Sequence, residues 1–85
     1  MYFAREAVSA ETIQRAIRAR LAIAYGANSP YVILPLPIQE IPPGDDGVNW
    51  QLSLDSQTAS DAGIEAARHA AADVAGTFNV GRAYH

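Results

Sequence analysis

Glu65, His69 and Asp73 fall at i, i+4 and i+8, a spacing that stacks two carboxylates and an imidazole along one stripe of a helix. Such a stripe can hold a metal or move protons. A site of nitrogen and oxygen ligands normally wants a fourth group, and the second histidine, His85, ends the chain. The stripe also points away from the apolar face of its own segment. A solvated surface is therefore expected, with no metal and no cofactor.

Nucleophilic catalysis would need a hydroxyl held by a base. Ser53, Ser56, Thr58 and Ser60 share the second half of the chain with His69, but no nucleophile-elbow motif surrounds them. They sit where a strand gives way to a helix, and turn and cap duty accounts for that enrichment. Gly44 and Gly47 flank Asp45 and Asp46, which would repel a phosphate. The same pair lacks the alternating ligands and terminal glutamate of a calcium loop. No catalytic residue is assigned, and the chain is not expected to be an enzyme.

Arg15, Arg18 and Arg20 form the basic cluster of the first helix, which could lie on nucleic acid or an acidic partner. No aromatic is interleaved to stack on bases. Arg15 and Arg18 are expected on the wet face beside Glu11. Arg20 falls inside the apolar arc, so its head must pass the helix end or meet an acid across the fold; a structural salt bridge is the favoured expectation.

These residues need elements to position them. Ser9 is a plausible N-cap, and Ile13, Ala16, Ile17, Leu21, Ala24 and Tyr25 recur at helical spacing before Gly26, so a helix is predicted over Ala10–Tyr25. A strand is predicted over Tyr31–Ile41, with Val32, Leu34, Leu36 and Ile38 on one face. Pro35 and Pro37 make it an edge strand, their missing amides along one side and the even-numbered amides free to donate to a partner strand. After turn residues 42–47, Val48, Trp50, Leu52 and Leu54 alternate against Asn49, Gln51 and Ser53. The second helix is expected from near Thr58, at capping-box spacing from Asp61, to about Ala75. Ile64, Ala67, Ala71, Val74 and Phe78, with Gly63 alongside, make its apolar face.

The result is an α+β fold, a two-layer helix-strand-strand-helix sandwich in which both helices cover one face of an antiparallel hairpin. Tyr2-Phe3-Ala4 and the tail from Val80 to His85 are short and terminal, so both are read as coil, leaving one domain with an ordered core over about residues 9–78.

Composition bounds the rest. The chain has 85 residues, 49% hydrophobic, and 17 of its residues are alanine, so its core must be thin. There is no cysteine and no lysine, and the net charge is −3. Residues 1–27 carry the basic excess, whereas residues 40–73 hold seven acids against Arg68. Nucleic acid is thus not an expected partner. Leu21 to Gln39 carries no charge, but Asn28, Ser29, Pro30, Pro35 and Pro37 interrupt it, so no membrane span is expected and a cytoplasmic setting is.

The outer face of the hairpin, with Tyr31, Ile33, Pro35 and Pro37 beside Asn49, Gln51 and Ser53, is half apolar. Its second strand has no proline or charge to blunt the free edge, so a homodimer or partner strand could pair there, with Gln51 near the dyad. A non-catalytic protein-interaction or assembly module is the expected function. The alternative is a nucleic-acid-associated accessory protein using Arg15, Arg18 and Arg20.

Overall fold

A computed structural model describes residues 6–55, 57 and 59–81. The elements run β1 (Glu6–Val8), α1 (Ala10–Tyr25), a 3-10 turn (Pro30–Ile33), β2 (Ile38–Glu40), β3 (Trp50–Leu52), α2 (Asp61–Ala75) and β4 (Phe78–Val80). This is an α+β fold, with α1 where its periodicity puts it. The Ser9 hydroxyl accepts from the Thr12 amide at 3.2 Å, as an N-cap does. Its buried residues are Ile13, Ile17 and Leu21.

The second helix starts later than expected. Ser60, not Thr58, caps it, accepting from the Gly63 amide at 3.1 Å; Thr58 lies outside the described residues. Gly63, Ala66, Ala67, Ala70, Ala71 and Val74 are buried along it. Phe78 belongs instead to β4, because the chain turns at Gly76. So many alanines bury little area each, and Ile13, Ile17, Leu21, Leu36, Val74 and Trp50 supply the bulk of the core.

The expected strand over Tyr31–Ile41 is mostly not a strand. Ser29 caps the 3-10 turn, its hydroxyl accepting from the Tyr31 amide at 3.2 Å, with Pro30 at its start. The chain then runs without a strand partner to β2, three residues long. Two prolines cannot donate to a ladder, and α1 takes up the carbonyls instead. Arg18 Nη1 donates to the Val32 and Leu34 oxygens at 2.6 and 2.9 Å, and Gln14 Nε2 to the Leu36 oxygen at 2.7 Å. Helical i,i+4 spacing thus matches every second carbonyl of an extended segment.

The hairpin forms antiparallel, with Gln39 opposite Gln51. The Ile41 amide donates to Asn49 O and the Ser53 amide to Pro37 O. Hydrogen-bonded pairs alternate along an antiparallel ladder, so Gln39 and Gln51 face each other with their backbone groups. The sequence expectation was the reverse: the amides of Gln51 and Ser53 point into the hairpin, and Pro37 contributes its carbonyl to the paired side. The turn between the strands closes through Gly47, whose φ of 80° favours glycine.

Val80, read from the sequence as coil, lies in a strand. β1 pairs with β4 in parallel, Glu6 with Phe78 and Val8 with Val80. Tyr2-Phe3-Ala4 and residues 82–85 lie outside the described residues. Gly81 continues the pairing, its amide donating to Val8 O at 2.8 Å. A Cβ on Gly81 would stand 2.4 Å from the Ala7 Cβ. Gly81→Ala is expected to cost about 1–3 kcal/mol by forcing β1 off β4, read as a fall in denaturant midpoint; an unchanged midpoint would show that the two strands can part freely.

Side chains join the two ribbons. Asn49 Oδ1 accepts from the Val80 amide and Asn49 Nδ2 donates to Val80 O, both at 2.9 Å. In return Asn79 Nδ2 donates to Gly47 O at 2.9 Å, and Asn79 Oδ1 accepts from the Asn49 amide at 3.3 Å. Each amide side chain stands in for a missing strand backbone.

Candidate interaction surface

The residues expected to share the outer hairpin face are divided by the 3-10 turn. Tyr31 is half-buried against Tyr25, their ring centroids 4.9 Å apart and nearly perpendicular. Ile33 projects into solvent, 81% exposed. Pro35 and Pro37 are exposed beside it on the segment held by α1. Asn49 has turned to β4. Gln51 and Ser53 remain on the solvated side of the hairpin, where Gln51 Nε2 donates to Gln39 Oε1 at 3.0 Å.

The three arginines do not make one patch. Arg15 pairs with Glu11 at 2.6 Å, the side chains 76% and 69% exposed, a contact of small energetic weight. Arg18 is committed to the backbone of residues 32–34. Arg20 is exposed and makes no ion pair among the described residues, so the expected salt bridge is not formed. At about 100° per residue it stands roughly 160° around the helix from Arg18.

Glu65, His69 and Asp73 are all exposed on α2. Among the described residues no three histidine, aspartate or glutamate side chains converge as a metal site would require. Nor is any described helix long and apolar enough to cross a membrane.

The feature that sequence reasoning missed lies between β3 and α2. Because Gln51 faces β2, the backbone groups of Trp50 and Leu52 face away from it, and among the described residues β2 is the one strand paired with β3. Beside that side runs a groove of about 330 Å³ lined by Trp50, Gln51, Leu52, Arg68, Ala71, Ala72 and Ala75. A second hollow, of about 650 Å³, continues from Arg68 and Ala72 past Leu54 and Ile64 to Asp55, Asp61 and Glu65. The two form one trough along α2. Its floor is apolar, its centre carries Arg68, and its far end is acidic. Period-two alternation identified the inward side chains of β3, but only the ladder shows which amides are left.

No protein-family model, curated protein or solved structure matches this chain. The reading of the trough therefore rests on its own chemistry. It brings together the side of β3 that faces away from β2, small side chains that admit a backbone closely, and charges at one end.

Proposed function

We propose that the chain is a non-catalytic protein-interaction module that receives an extended segment of a partner protein along the side of β3 facing away from β2. The supporting observation is the outward backbone of Trp50 and Leu52 beside the alanine-lined trough. Strand addition draws affinity from main-chain hydrogen bonds and selectivity from pockets for alternate side chains. Asp55, Asp61 and Glu65 at the far end favour a basic segment there, by charge complementarity. A second copy's β3, paired antiparallel, is the symmetric form of the same contact. The nucleic-acid alternative is weaker, because Arg18 is bound to backbone carbonyls and Arg15 to Glu11.

Two proline variants test this. Leu52→Pro removes an outward donor and spares the β2 ladder, at the cost of some core packing, so circular dichroism must first show it folded, whereas Gln51→Pro removes a donor from the ladder and should melt the hairpin. The probe is a set of synthetic ten-residue peptides, alternating apolar and polar, in basic and acidic versions, followed by the fluorescence of Trp50, the single tryptophan. Basic peptides are expected to shift the emission of the wild type and not of Leu52→Pro. If no peptide shifts it, or if Leu52→Pro responds like the wild type, the proposal fails.

A further inference from the structure

Arg20 is the residue of α1 that its own helix does not explain. It lies between the buried stripe of Ile13, Ile17 and Leu21 and the side carrying Ala16 and Ile23, yet it is exposed and unpaired among the described residues. Next to it, Ile23 is 82% exposed. Both border a shallow groove of about 220 Å³ along the outer seam of the two helices, where Ala24, Ala66 and Ala70 make the floor and Asp73 stands on the opposite rim with His69 one turn before it. Asp73 is also exposed and without an ion pair among the described residues. One helix thus presents a cation, the other an anion, with an apolar channel between.

We propose that a second copy of this chain docks on that seam as a two-fold pair, Arg20 of each copy meeting Asp73 of the other while each Ile23 enters the facing groove. The charges favour a copy of the same chain over another occupant. A two-fold axis running along the seam lays α1 of one copy over α2 of the other, so in that orientation a face positive on α1 and negative on α2 is complementary to itself. Alanine leaves room for the incoming isoleucine. The thin monomeric core gives the contact its thermodynamic role, since burying Ile23 and part of Tyr25 stabilises the folded chain by mass action. The contact lies on the helices and does not depend on the β3 trough.

The test is sedimentation velocity over a wide concentration series, with circular dichroism to confirm folding, on the wild type, Arg20→Asp, Asp73→Arg and the double variant. All substituted positions are exposed, so each chain should fold. The wild type should be a dimer that dissociates on dilution. Arg20→Asp leaves both rims acidic and Asp73→Arg leaves both basic, so each alone should dissociate at least about tenfold more readily. Mixed in equal amounts, the two single variants should form a heterodimer, and the double variant should recover the wild-type constant. A wild type that stays monomeric overturns the proposal. So does a dimer that neither reversal weakens, and Leu52→Pro then shows whether β3 holds it instead.

Discussion

Trp50→Ala leaves the chain about 3–5 kcal/mol less stable, enough to unfold most of so small a domain at room temperature. The side chain is 3% exposed and meets the cluster formed by Ile13, Ile17, Leu21, Leu36 and Val74. Around it α2 offers mainly alanine, which cannot expand to fill the hole, so the cavity persists. The indole adds a polar tie, its Nε1 donating to Phe78 O at 3.0 Å and thereby linking β3 to β4. Trp50→Phe separates the two contributions. It keeps most of the ring and orphans the Phe78 carbonyl, with an expected loss of about 1–3 kcal/mol. Urea denaturation followed by circular dichroism measures both. A loss below about 1 kcal/mol for the alanine variant would place Trp50 outside the core.

Asn49→Ala should cost about 2–4 kcal/mol, an effect out of proportion to a side chain on a turn-proximal residue. It strips the Val80 amide and carbonyl of their partners at once, and both lie in a part-buried seam. Unsatisfied buried groups are costly beyond the bonds themselves. Without that clasp β4 is held to the hairpin only by the Asn79 side chain and the Trp50 indole, and β1, paired among the described residues with β4, is loosened with it. Hydrogen exchange reads this directly: the Val80 and Gly81 amides should lose protection while those of α1 keep theirs. Asn49→Asp offers no rescue, because a carboxylate can accept from the Val80 amide but repels its carbonyl. Equal protection at Val80 in wild type and Asn49→Ala would show that the Asn79 and Trp50 bonds and packing hold the two ribbons without the Asn49 side chain.

Both variants act where distant segments meet, and that is where sequence reading stopped. The bounds of α1, its Ser9 cap, the inward set Val48, Trp50, Leu52 and Leu54, and the solvated stripe of Glu65, His69 and Asp73 all follow from local capping and from periods of 3.6 and 2. Arg20 was already conspicuous within its apolar arc, because helical geometry alone fixes that position.

Tertiary structure decided the rest. Residues 31–37 satisfy the composition of a strand, yet their prolines cannot form a full ladder, and Gln14 and Arg18 on another element supply the donors. Glu6–Val8 and Phe78–Val80 are too short to carry a pattern, and they pair because the fold brings the two ends of the chain together. Alternation along Val48–Leu54 separates the two faces of a strand but not its two edges. Which amides of β3 remain open was therefore settled only when β2 chose its register. Periodicity reports which side of an element is apolar; the partner of each backbone group depends on segments far away in sequence, whose pairing no local propensity encodes.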